Sequence, residues 1–321
     1  MKPDRLIVIP LVVAGLNLAA LAVLLPRSTV TLDPVIVRSF GVLEAFVLAL
    51  YLFSRFIVYR ARDDQSRLGR AFVVVFNVAM RAALYLAIMV PVAVPAVVLS
   101  YLAAAAGVSL VDADLSALDA ALAFDWLGFL ALTNETAFAP SVLQFAYQSL
   151  NWQLAVVPII LIATSQTRCL LELAALIGLT VTLTVAISAV VPVIGPYGYY
   201  HPAPALFDAY SNVAGSSHLA DFNALRSGEP FLLKRNAGIV SFPSFHTILA
   251  VLLAFALRAT PYVRGPAIVL NSLLIVGAVP FGGHYLVDTL AGGAIAALSI
   301  YFVCFFRVGT ARQAGLPSRA T

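Results

Sequence analysis

Two short strings in the last third of this chain carry its most reactive side chains. One reads Ser241-Phe-Pro-Ser-Phe-His246-Thr247 and the other Gly282-Gly-His284-Tyr-Leu-Val-Asp288, and they hold two of only four histidines in 321 residues. In the second string an imidazole and a carboxylate stand four residues apart, on one face of a helix if the segment is helical. A carboxylate in that position takes the proton of one ring nitrogen, fixes the tautomer and leaves the other nitrogen as a nucleophile. An aspartate inside an apolar run is costly without a partner, and His284 is the partner at hand. The plainer role for such a pair is to anchor a helix end at an interface. His246 opens another apolar run behind Pro243 and Ser244, which are helix-start signals. A helix start offers unpaired N–H groups and the positive end of the dipole, a favourable place for phosphate. His246 is then placed to protonate a leaving oxygen; its plainer role is an interfacial histidine on a capped helix.

The elements that position these residues must sit in a bilayer. The chain is 62% hydrophobic and 11% charged, with mean hydropathy +0.98, whereas a soluble domain carries roughly 25% charged residues. The formal net charge of +4 is spread over several loops, so it speaks to membrane orientation and not to nucleic-acid binding. Cys169 and Cys304 fall inside apolar runs and show no metal-ligand spacing and no disulfide framework. Apolar runs near 6–25, 40–59, 76–106, 142–165, 169–194, 244–258, 265–283 and 284–306 give an all-α polytopic bundle of about eight spans. The first run is too long for the core of a secretory signal and reads as a retained span. The third is long enough to tilt or break at Pro91 and Pro95, and the sixth is short.

Charge sets the orientation. Arg55, Arg60, Arg62, Arg67 and Arg70 cluster after the second run and belong in the cytoplasm by the positive-inside rule. Both termini, Arg168, Arg258 and Arg264 then fall on the same side. The segment with Asp112, Asp114, Asp119, Asp125 and Glu135 and the loop from about 195 to 243 face outward, with both histidine strings. Residues 109–131 read as an amphipathic helix lying in the outer interface. Two units follow: N-terminal spans with this helix over 1–135, and a catalytic membrane core over 136–321. Lys234 and Arg235, with Arg226 further upstream, are the basic side chains of the outward loop. They either anchor to headgroups or clamp a phosphate. Gln144, Tyr147, Gln148 and Asn151 either line a headgroup site or simply end a helix at the interface.

Taken together, the strings resemble the type-2 phosphatidic acid phosphatase superfamily, and most closely its branch related to fungal inositol phosphorylceramide synthase. Ser241-Phe-Pro-Ser-Phe-His246 is similar to that branch's Pro-Ser-x-His motif, and Gly283-His284-Tyr285-Leu-Val-Asp288 to its His-Tyr-x-x-Asp motif. The resemblance covers the chain from about 140 onward and implies a six-helix phosphatase-like core. It implies that His284 attacks phosphorus to form a phosphohistidine, that Asp288 orients it, and that His246 protonates the leaving group, without a metal. The chain departs from the soluble-type signature. No Lys-x6-Arg-Pro string is present, Phe245 precedes the histidine where that signature has Gly, and Gly277-Ala278 replace its Ser-Arg. Lys234, Arg235, Arg226 and Ser244 are the candidates for the phosphate contacts left unassigned.

The expected protein is thus an integral membrane enzyme, of a plasma or inner membrane, acting on a lipid phosphate at the extracytoplasmic face. Water as acceptor makes it a phosphatase; a lipid hydroxyl makes it a phosphotransferase of the inositol phosphorylceramide synthase kind. A rival of another class is a lipid transporter or flippase with a histidine proton relay. Against it, Glu44, Arg55, Arg81 and Glu172 fall toward span ends and no paired halves are visible. The sequence fixes no oligomeric state.

Overall fold

A computed structural model describes residues 5–206, 218–234 and 238–313, with side chains as far as Phe305. The architecture is an all-α membrane bundle. Among the described residues seven helices are long and apolar enough to cross a bilayer: α1 (Val8–Leu24), α2 (Pro34–Ala61), α3 (Arg67–Ala105), α6 (Ala139–Ala163), α7 (Thr167–Val190), α11 (Pro261–Gly282) and α12 (Leu286–Gln313). Between them lie α4 (Asp112–Ala121), α5 (Trp126–Glu135), α8 (Pro196–Tyr200), α9 (Leu219–Arg226) and α10 (Phe245–Ala256). The two strands, β1 (Val30–Leu32) and β2 (Phe231–Leu233), form one short parallel pair with Val30 opposite Phe231.

The short sixth run becomes α10, twelve residues extended by a 3-10 turn at Leu257–Ala259. At about 1.5 Å per residue it falls short of the roughly 30 Å of a hydrocarbon core. Its apolarity serves protein packing: Ile248, Leu249, Ala250, Leu252 and Leu253 are buried, wedged between α6, α7, α11 and α12. In contrast, α2 packs chiefly on α3 and leaves Phe46, Leu52 and Phe56 exposed. The long third run is one unbroken helix, with Pro91 and Pro95 inside it.

Residues 109–131 differ from the sequence expectation. They form two helices, α4 and α5, bent by 72°, where Ala123 takes φ +57° and Asp119 O accepts from Leu122 and Phe124. Their polarity is inverted as well. Asp112 and Asp119 are buried, while Leu118 and Leu122 are about half exposed. The carboxylates turn inward because the starts of neighbouring segments offer them unpaired N–H groups.

Helix directions separate the molecule into two ends. α7 runs from Arg168 and Glu172 toward Pro192, α10 runs from His246 to Arg258, and Arg258 meets Glu172. The histidines therefore sit at one end. The Arg168–Glu172–Arg258 cluster sits at the other, as does the turn after α2 with Arg60, Arg62, Arg67 and Arg70, at the far end of α3 from its cavity-lining residues.

Candidate active site

The two strings meet although 38 residues separate their histidines. Ser244 caps α10 by accepting from the Thr247 N–H at 3.3 Å, and its own N–H donates to Asp288 O at 3.1 Å. The start of α10 is thereby tied to the first turn of α12. Gly283 ends α11 at φ +63°, a conformation that glycine adopts without strain. A Cβ on Gly282 would lie 2.7 Å from the His284 ring, so the glycine pair makes both the turn and the room for the imidazole.

His284 Nδ1 lies 3.3 Å from Asp288 Oδ2, and that oxygen also accepts from Tyr285 N–H at 2.9 Å. Since a carboxylate only accepts, the His284 proton sits on Nδ1 and Nε2 presents its lone pair. Facing that lone pair at 3.3 Å is His246 Nδ1. The His246 ring is held by Tyr147, stacked at 4.7 Å between centroids. His284 and Asp288 are 1% and 0% exposed. The arrangement is a carboxylate, an imidazole bonded to it through one ring nitrogen, and a second imidazole against the other ring nitrogen.

A second layer, which sequence reading missed, fixes the backbone around His284. Asp119 accepts from Leu286 and Val287 N–H, both at 2.9 Å, and so caps α12. Trp126 Nε1 donates to His284 O at 3.1 Å, with its ring stacked on Tyr200. Asp112 accepts from Tyr285 Oη at 3.1 Å and from the N–H groups of Ile194 and Gly195 at 3.0 and 2.9 Å. One signal for these aspartates was available. Asp112 and Asp119 are seven residues apart, two turns on one face, with no Lys or Arg nearby in the chain to pair with.

His246 and His284 open onto a cavity of about 480 Å³ whose walls include Val97, Leu150, Val181 and Phe245. Tyr147, Asn151, Ser241 and His218 add polar atoms, while Gln144 and Gln148 do not line it. His218 is the other residue that sequence reading passed over. Of the proposed phosphate contacts, none of those described reaches this cavity. Arg226 donates to Val108 O at 2.9 Å and lies over the Phe222 ring. Lys234 borders a separate surface hollow with Asp221 and Tyr101. Ser244 is fully buried and spent as a helix cap. Arg235 lies outside the described residues. Among the described residues no three His, Cys, Asp or Glu side chains are grouped to hold a metal ion.

Fold and site define a membrane-embedded helical protein with a His–His–Asp cluster, its His284 and Asp288 buried, at one end of the bundle. The family model of the PAP2 superfamily matches residues 113–302, more than half of the chain, and the protein belongs to that superfamily. The matched region includes most of α4 and all of α5, which brace the site. Neither curated proteins nor solved structures yield a match.

Proposed function

We propose that this chain is a lipid phosphatase or phosphotransferase that works through a phosphohistidine on His284. The carrying observation is the relay Asp288–His284–His246 facing one apolar-walled cavity. His284 Nε2 attacks phosphorus, and the bond from phosphorus to the leaving oxygen breaks. His246 gives that oxygen its proton. Asp288 keeps Nδ1–H bonded throughout and balances the positive charge of the phosphorylated ring. Water or an alcohol then attacks phosphorus, the P–N bond breaks, and the incoming proton returns to His246. The apolar walls suit a lipid chain, which supports a phosphate ester or anhydride of a lipid as substrate.

Transfer to a lipid hydroxyl, in the manner of inositol phosphorylceramide synthase, follows the same steps with a different acceptor. The site faces away from the cytoplasm in this reading. The arginine-rich turn after α2 and the Arg168–Arg258 cluster lie at the opposite end, and basic loops stay inside. With α10 counted as a crossing beside the seven long helices, the number of crossings is even and both ends of the chain fall on the cytoplasmic side; 1–135 then serves as a supporting unit for a catalytic 136–321.

The test uses purified protein, without added metal, on a panel of radiophosphorus-labelled lipid phosphates, with product release and protein label followed together. An acid-labile label on His284 and a loss on the order of 10³-fold or more in His284→Ala are expected. Equal turnover by both proteins would overturn the assignment of the nucleophile.

A further inference from the structure

The proposed mechanism uses three side chains, yet a third histidine borders the same cavity. His218, at the start of α9, lines it together with His246 and His284. Its Nε2 lies 3.3 Å from Ile194 O. A carbonyl only accepts, so Nε2 carries the proton and Nδ1 is left as an acceptor.

That carbonyl belongs to a peptide whose neighbouring N–H groups are bonded on both sides. The Ile194 N–H is bound by Asp112, which also holds Gly195 N–H and the hydroxyl of Tyr285, the residue after the nucleophile. One carboxylate thus sets His218 and His284 in a common frame. Such second-layer anchoring is what gives a recognition group its precision.

The protonation state decides what His218 can recognise. Among the described residues the cavity lining holds no Lys, Arg, Asp or Glu. Burial holds the His218 imidazole below its ordinary range, and the field of His284 pushes the same way. The Ile194 carbonyl and Asp221 offset this in part. A neutral imidazole with its proton committed to a carbonyl has nothing to give a phosphate oxygen, but it can receive an O–H.

We infer that His218 Nδ1 accepts a hydrogen bond from a hydroxyl of the substrate headgroup, so that the cavity selects phosphodiesters whose headgroup bears a free hydroxyl close to phosphorus. The inference rests on the proposed function and narrows its substrate class. His218 is here a specificity residue that takes no part in bond making.

The test compares phosphatidylglycerol with phosphatidylpropanol of the same acyl chains, which differ only in the two headgroup hydroxyls. In the unaltered full chain, kcat/KM favours phosphatidylglycerol by about tenfold, the value of one good hydrogen bond. His218→Phe keeps a ring, removes both nitrogens and lowers kcat/KM about tenfold for phosphatidylglycerol, but less than about twofold for phosphatidylpropanol. His218→Gln, whose amide oxygen accepts, recovers part of the loss. Equal losses on both lipids would make His218 a packing or charge-bearing residue and overturn the inference. If the phenylalanine variant does not fold, the preference of the unaltered chain carries the test, and no preference overturns it. A chain that hydrolyses phosphatidate but neither diester keeps the proposed function and loses this inference; a chain that turns over none of the three, with or without a lipid-alcohol acceptor, loses this inference, and the proposed function then stands or falls on the His284 label.

Discussion

The two ends of the bundle bury carboxylates in different company. At one end Glu172, 1% exposed, is held by the guanidinium of Arg258 and, at 3.4 Å, by Arg168 one turn earlier in α7. At the other end Asp112 and Asp119 are 3% and 1% exposed, and their partners are backbone N–H groups and one phenol. Both solutions satisfy a buried charge. Only the second does so without a fixed cation beside the histidines. A guanidinium near His284 would bond Asp288 in a fork and draw that carboxylate away from the imidazole it must orient. The basic end therefore reads as a structural clamp between α7 and α10. The acidic end reads as a frame for His284 and Asp288.

If that contrast holds, damage at the two ends should separate stability from activity. The largest stability effect is expected at the clamp. Arg258→Met takes from buried Glu172 its contact with the guanidinium on α10 and keeps the half-exposed Arg168, a loss of about 3 kcal/mol for a broken buried pair. The thermal midpoint in detergent should fall clearly, while kcat of the folded fraction stays within about twofold. A large fall in kcat with an unchanged midpoint would erase the distinction.

Asp119→Ala should show the reverse balance. It leaves two N–H groups at the start of α12 without their acceptor, a cost of about 2 kcal/mol by analogy with lost helix caps. The catalytic loss should be larger in proportion, about a hundredfold in kcat, because a displacement of about 1 Å at a reacting group can cost that much. Asp119→Asn, which keeps one accepting oxygen, should fall between. An Asp119→Ala protein as active as the unaltered chain would show that α12 holds its own first turn.

How far these ends were legible in the sequence depends on the range of each interaction. Seven long apolar helices follow from run length and hydropathy, and α10 was visible as the short run, though not as a helix buried by its neighbours. The His284–Asp288 pair was legible because four residues on a helix fix a local geometry. That the two histidine strings lie on one side followed from charge and span order, and their roles as a pair came from resemblance, since no local rule joins residues 38 apart. The inward turn of Asp112 and Asp119 was not legible. Amphipathic periodicity assigns carboxylates to water, and it cannot see backbone donors supplied by Ile194, Gly195, Leu286 and Val287. The basic candidates misled in the opposite direction: Arg226 and Lys234 lie near the site in sequence, but their partners, Val108 O and the hollow beside Asp221, lie elsewhere. His218 gave no local signal at all, because its partner carbonyl is 24 residues away across a loop.

The smallest expected effect is also the finest test of the frame. Trp126→Phe removes the hydrogen bond from α5 to the His284 carbonyl while keeping an aromatic ring against Tyr197 and Tyr200. Losing one buried neutral hydrogen bond costs about 1 kcal/mol, and it leaves the His284 carbonyl free to tilt. Asp119 still caps Leu286 and Val287, so the helix start should survive and kcat should fall only about threefold. The informative quantity is the double variant Trp126→Phe with Asp119→Ala. If the two groups brace one rigid element, their effects on kcat should exceed the product of the single losses, because each alone leaves the other to hold His284. Simple multiplication would mean that the tryptophan only fills space, and the frame would then reduce to the two aspartates.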